Sequence, residues 1–268
     1  MIECIADHAS AARARVVLFD FDGTVSLIRS GWVDVMVPMM VESLAALKTG
    51  EPEPDLKAVV EEFVGRLTGK QTIYQMMALC DEIRKRGGEP EEPLVYKHRY
   101  LNLLWERIKH RVESLEKGDA SPADFLVPGV LETIQNLRHR GLTLYLASGT
   151  DEIYMKHEAD LLGVTPYFDG GAFGAQDDYT KFEKDILIRD IIRTAGVKGE
   201  EFLGFGDGYV EIQNIKEVGG VAVGVATDEP DCLKIDPWKR QRLVGVGADY
   251  IIPNYLEHTR LFDMLFAG

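Results

Sequence analysis

A doubly wound parallel α/β sheet interrupted by an all-helical insertion is the fold class predicted by three features of this sequence. Short apolar runs recur at residues 16–19, 142–147, 202–205, 221–225 and 250–252, each the length of a strand buried on both faces. Segments with helical spacing of apolar residues link several of these runs. Between the first and second runs lies about a hundred residues of chain in which only helical patterns occur, far more than one crossover helix requires.

The first run opens the stretch VVLFDFDGTV and ends on two aspartates, Asp20 and Asp22. The insertion that follows shows helical patterns at 32–47, 56–67, 70–86 and 94–116, separated by TGEPEPD, TG and RGGEPEEP, which are rich in turn residues. Pro38 is expected to kink or split the first of these helices. After the insertion a helix over 129–140 sits between Pro128 and Gly141, and another over 184–194 places Leu187, Ile188, Ile191 and Ile192 on one face. The chain thus divides into a core of residues 1–25 and 124–268 and a helical insert of residues 26–123.

Lys plus Arg number 30 against 44 Asp plus Glu, a formal net charge of −14. Such a surface repels polyanions, so neither nucleic acid nor an anionic membrane is an expected partner. Three scattered cysteines, Cys4, Cys80 and Cys232, with no CxxC pair argue against a disulfide framework or a zinc site. No run reaches the roughly 18 apolar residues that spanning needs, and a soluble cytoplasmic protein is expected. His98, His110, His139, His157 and His258 show no metal-ligand spacing.

Residues two apart on an extended backbone point to the same side, so Asp20 and Asp22 emerge together beyond the carboxyl end of the first strand, the edge where open α/β sheets bind ligands. Gly23 permits a sharp turn and Thr24 adds a hydroxyl. Taken alone, the pair also fits an Asx-Gly turn. A second strand end, EFLGFGDGYVEI, delivers Asp207 and Glu211 to the same edge. Four carboxylates there repel one another unless a hard cation joins them, and oxygen-only donors suit Mg²⁺. A third strand end, LTLYLASGTD, supplies Ser148, Gly149 and Thr150, either as an anion cradle or as a helix N-cap. Lys181 and Lys184 open a helix in YTKFEKDILI, where a cation opposes the helix dipole, unless both are solvated surface lysines.

These four blocks in this order, DFDGT, LASGT, KFEK and GDGYVE, resemble the haloacid dehalogenase (HAD) superfamily over residues 15–25 and 125–255, and the insert looks like that family's C1-type cap. The resemblance implies a Rossmann-like core and phosphatase activity. It also implies Asp20 as nucleophile forming an aspartyl-phosphate, and Asp22 as general acid and then base. Mg²⁺ would be held by Asp20, the Asp22 carbonyl and Asp207, with Glu211 as a fourth, longer acid, and Ser148 would bind the phosphoryl oxygens beside Gly149 and Thr24. The helical apolar face favours Lys184 as the family's lysine, and a KPxPD-like spacing would favour Lys181. Loss of the cation or of the lysine should cripple such a site.

Helical caps of this kind exclude water and read the leaving group. In RLTGKQTIYQ, Gly69, Lys70 and Gln71 stand at a helix start, and Arg29 and Trp32 follow the first motif closely; all four side chains are candidate readers of substrate or plain surface residues. The expected activity is hydrolysis of a small phosphorylated metabolite, a sugar phosphate or a phosphoglycolate-like acid. A phosphomutase on the same scaffold is the alternative, and a non-catalytic module phosphorylated on aspartate a third. A dehalogenase or phosphonate hydrolase is disfavoured because Asp22 is present.

Overall fold

The protein is described here from a computed structural model, which covers residues 1–6, 9–176, 183–229 and 231–267. The chain opens with β1 (Glu3–Cys4) and β2 (Val16–Asp20), then passes through four helices, α1 (Val33–Ala45), α2 (Glu53–Arg66), α3 (Thr72–Lys85) and α4 (Pro93–Lys117). It continues as α5 (Val130–His139), β3 (Thr143–Asp151), α6 (Glu152–Leu161), β4 (Gly171–Ala175) and α7 (Lys184–Ala195). The last elements are β5 (Phe202–Gly206), α8 (Tyr209–Glu217), β6 (Val221–Val225), α9 (Pro237–Gly245), β7 (Tyr250–Ile252) and α10 (His258–Leu265).

The strands form one 7-stranded sheet in the order β1-β7-β6-β5-β2-β3-β4. All neighbours are parallel except β1, which runs against β7. Val16 of β2 pairs with Thr143 on one side and Phe202 on the other. From β2 the chain steps outward through β3 and β4, then returns to lay β5 on β2's opposite flank. The order therefore reverses at β2, and a reversal in an open α/β sheet leaves a crevice at the carboxyl ends of its strands.

Alternation along β2 divides the core. Val17 and Phe19 face one layer with Leu144, Leu146, Leu203 and Phe205, while Val16 and Leu18 face the other with Phe202, Ile188, Ile191, Ile212 and Ile215. The first layer runs without a break into buried residues of the four-helix insert, among them Met36, Met40 and Leu104. Met36, Met39, Met40 and Met76 are buried, which agrees with a packing role.

Helix ends fall within a few residues of the expected positions. Pro38 lies inside an unbroken α1, so it does not split the helix. Only one backbone bond is forfeited there, and the burial of Met36, Val37, Met39 and Met40 around it holds the turn together. Two strands escape the sequence patterns. β1 has two residues, and β4 is GAFGA, which carries no β-branched side chain; pairing with β3 imposes its extended form. Among the described residues no helix is long and apolar enough to cross a membrane.

One surface cluster ties the insert together. Arg86 donates to both oxygens of Glu51 at 2.8 Å and to Glu82 at 2.6 Å. The Arg86 bonds hold the Glu51 carboxyl below its ordinary 4.5. At Glu82 burial acts upward, but bonds from Lys85 and Arg86 outweigh it and bring the net direction down. Depressed carboxyls contribute stability that is present above 4.5 and lost as pH falls through the folded values. Arg86→Leu should therefore shrink the drop in melting temperature between neutral pH and a pH below 4.5, read by circular dichroism; an unchanged drop would count against the cluster's role.

Candidate active site

The carboxyl ends of β2, β3 and β5 converge below the four helices around a cleft. Asp20, Asp22, Gly149, Thr150, Lys184 and Asp207 line it from the sheet, and Arg29, Trp32, Lys70, Gln75, Tyr100 and Leu104 from the insert side. Phe19 and Phe205, each one residue before a strand's last, stack 4.6 Å apart beneath it.

Asp20 is the last residue of β2 and is buried, 6% exposed. Its Oδ1 accepts a bond of 2.5 Å from the Lys184 ammonium, and Thr24 reaches Oδ2 at 3.4 Å. Burial pushes the Asp20 carboxyl well above the usual range; Lys184 opposes this, and Glu211 and Asp207 add to it. Lys184, in the first turn of α7, also donates to Glu211 Oε1. Burial acts to lower the pKa of this ammonium, but Asp20 and Glu211 outweigh burial and favour its charged form. The unfavourable placement against the helix dipole is thus offset by two carboxylates. Lys181 lies outside the described residues.

Asp22 emerges beside Asp20, as the period of an extended chain requires. Its Oδ2 accepts bonds from Ser148 at 2.8 Å and Thr150 at 2.9 Å, while its buried Oδ1 has no hydrogen-bond partner. The Ser148 oxygen also accepts the Thr150 N–H at 2.9 Å. Neither hydroxyl caps α6, whose N-cap is Asp151 without a side-chain capping bond. Arg29 forks onto Glu158, with bonds of 2.6 and 3.1 Å, and stands 3.9 Å from Asp22 Oδ1. Its charge lines the cleft already neutralised by a buried partner.

Asp207 follows β5. Burial raises its carboxyl to about 6, with Glu229 and Glu211 adding and Lys239 opposing. The Lys239 ammonium lies 3.1 Å from Asp207 and 3.0 Å from Glu229. Gly23, at φ 72°, faces this carboxylate so closely that a Cβ there would stand 2.3 Å from Asp207 Oδ2. The Asp22–Gly23 turn and Asp207 are therefore in contact.

The loop before α3 reaches this floor. Gly69 has φ 95°, and a Cβ there would come 2.1 Å from Glu211 Oε2; a Cβ on Gly149 would meet the Lys70 carbonyl at 2.5 Å. Lys70 lines the cleft, its ammonium 5.2 Å from the Tyr74 ring centre. Gln71 is buried at the N-cap of α3 and lines an adjoining hollow with Tyr74 and Lys184. Arg29 and Trp32 line the main cleft.

The residues can be tested against a hard cation. Among the described residues no three His, Cys, Asp or Glu side chains are gathered as a metal cage. Two carboxylates, Asp20 and Asp207, with a main-chain oxygen at Asp22 and waters would suffice for Mg²⁺, which keeps several of its waters. Among the described residues, the ion pairs here set Asp20, Asp22, Asp151, Asp207, Glu158, Glu211 and Glu229 against Lys97, Lys184, Lys239 and Arg29, with Lys70 also on the cleft wall. This excess of negative charge and the oxygen-only donors fit such an ion. Glu211 is turned to Lys184, and its buried Oε2 has no hydrogen-bond partner.

Lys239, Glu229, Glu158 and Tyr100 were not singled out from the sequence. The Asp-Pro pair at 236–237 does announce a helix start, but nothing local indicates that the lysine one turn in faces Asp207.

Comparison with known proteins identifies the family and the fold. A 5'-nucleotidase of Pseudomonas aeruginosa is 26% identical over 216 residues, 81% of this chain and 84% of that protein. Two solved structures share the fold: a phosphonoacetaldehyde hydrolase-like protein from Oleispira antarctica (TM-score 0.61, 16% identity, 98% of each chain) and a predicted phosphoglycolate phosphatase from Haemophilus somnus (TM-score 0.58, 15% identity, 93% of this chain and 98% of that one). The family model for haloacid dehalogenase-like hydrolases matches residues 14–219, a span that holds Asp20, Asp22, Ser148, Lys184, Asp207 and Glu211. The chain is an enzyme of the haloacid dehalogenase-like hydrolase family.

Proposed function

We propose that the protein is a Mg²⁺-dependent phosphomonoester hydrolase of a small phosphorylated metabolite, working through a phosphoryl group carried on Asp20. The observation that supports this best is the pairing of two unlike carboxylates at one strand end: Asp20 on the Lys184 ammonium, and Asp22 on two hydroxyls. Mg²⁺, held by Asp20, Asp207 and the Asp22 carbonyl, would supply charge neutralisation for the transferring phosphoryl group.

An Asp20 carboxylate oxygen bonds to phosphorus as the ester oxygen leaves, and Asp22 gives that oxygen its proton. Asp22 then takes a proton from water, whose oxygen bonds to phosphorus while the Asp20–phosphorus bond breaks. Phosphate leaves and both aspartates return to their starting state. Ser148 and Thr150 hold Asp22 in line, Lys184 keeps Asp20 oriented, and Glu211 keeps Lys184 in place.

The test is free phosphate released from a panel of esters with Mg²⁺ and with EDTA. The panel should hold sugar phosphates, phosphoglycolate, p-nitrophenyl phosphate and, given the name of the Pseudomonas relative, nucleoside 5'-monophosphates. Release that requires Mg²⁺ is expected. No free phosphate from any ester would overturn hydrolysis, and isomerised sugar phosphate without release would favour a mutase.

Gly149→Ala probes the loop that carries Lys70. Its Cβ would collide with a main-chain carbonyl, so the loop must lift off the floor. Turnover should fall ~10- to ~100-fold, and the melting temperature should fall too, because a 2.5 Å clash with main chain is not relieved by a side-chain rotation. Unchanged rates would show that the loop's approach does not matter to the reaction.

A further inference from the structure

Lys239 has no part in the steps above, yet its ammonium is set between carboxylates at the reacting end, its side chain 16% exposed. It touches Asp207 at 3.1 Å and Glu229 at 3.0 Å. Its place is set locally: the Asp236 side chain accepts the Lys239 N–H at 2.7 Å, with Pro237 opening α9. Burial acts upward on the Glu229 carboxyl, but Lys239 first, and then the Ser30 and Gly31 groups beside it, bring it below the usual range.

Ser30 and Gly31 form the turn through which the chain leaves the Asp20–Asp22 loop for α1. The insert grips the same turn from the other side. Arg111 of α4 donates to the carbonyls of Ile28 at 2.8 Å and Ser30 at 3.0 Å, and Arg107 closes on Gly31, where a Cβ would stand 2.5 Å from its Nη2. A continuous line of contacts therefore runs from Asp207 through Lys239 and Glu229 to the root of the insert.

We infer that Lys239 is a positioning residue, which holds Asp207 in its cation-binding orientation and, through Glu229, fixes that orientation relative to the Ser30–Gly31 turn. The inference rests on the Mg²⁺-dependent reading. The competing role is charge balance alone, and the two predict opposite signs. A cation that only repels Mg²⁺ would, when removed, let the ion bind more tightly. A cation that orients a ligand would, when removed, let it bind more weakly, because Asp207 loses the contact that fixes its side chain.

The experiment is a calorimetric Mg²⁺ titration of the full-length, substrate-free enzyme, with phosphate-release kinetics on p-nitrophenyl phosphate and circular-dichroism melts alongside. Lys239→Met should weaken Mg²⁺ binding ~10- to ~100-fold, the range found when the groups that orient metal ligands are removed, and should lower kcat with KM nearly unchanged. Lys239→Arg, whose guanidinium can span both carboxylates, should recover most of both losses. Should Lys239→Met fail to fold, Glu229→Ala, which leaves Asp207 its ammonium but cuts the tie to the turn, should show a smaller weakening of the same sign. Tighter or unchanged Mg²⁺ binding in Lys239→Met, or in Glu229→Ala where that variant stands in, overturns the assignment while leaving the hydrolase reading intact. A wild-type enzyme that neither binds Mg²⁺ nor releases phosphate overturns both.

Discussion

Asp20→Asn should abolish phosphate release, by roughly 10⁴- to 10⁶-fold in kcat as for other removed nucleophiles, while leaving the metal-free protein folded and raising its melting temperature. Both results come from the same burial. Asp20 sits with Glu211 and Asp207 in a desolvated site, and its carboxyl is pushed well above the usual range. The neutral amide removes one buried charge from that crowd and keeps the shape. Lys184 keeps Glu211 as its partner. A site that is more stable when disabled is the expected signature of an evolved compromise between stability and activity. Retained turnover in the variant would remove Asp20 from the role of nucleophile.

Lys184→Met should have the opposite effect on stability. It leaves Asp20 and Glu211 buried together without their shared cation, and breaking a buried pair by deleting one member costs ~3–5 kcal/mol. The metal-free variant should melt well below the wild type, and Mg²⁺ should restore part of the difference by supplying a cation to Asp20. Turnover should be lost with it. A variant that melts and hydrolyses like the wild type would move the lysine's role elsewhere, with Lys181 the first alternative to replace.

How far the site was legible follows from which contacts are local. Asp20, Asp22 and Asp207 could be read because strand ends and period-two alternation fix where such residues emerge. Lys184 was legible as an opening helix residue in a place that opposes the dipole, and its partners were not. Ser148 and Thr150 suggested a cap or a phosphate cradle; their hydroxyls donate to Asp22, a contact across two strands that no local pattern encodes. Arg29 read as a candidate reader of substrate or a plain surface residue; it is buried, lines the cleft and pairs with buried Glu158, a partner no local pattern indicates. Lys239 was missed because its role depends on which face α9 presents to β5. β4 was missed because GAFGA has no strand signature of its own. Spacing announced what each element is, and packing decided what it meets.

The pairing of β2 has one more consequence, during folding. β2 pairs only with strands that begin at Thr143 and Phe202, so VVLF must wait, newly made and unpaired, until the insert and much of the core exist. Runs of that kind seed aggregation unless charges bracket them. Here Arg13 and Arg15 stand before the run, and Asp20 and Asp22 end and follow it. The aspartates proposed to do the chemistry are thus also the charges that close the run, and a chain carrying Asn at both positions should give more light scattering on dilution from urea than either single variant.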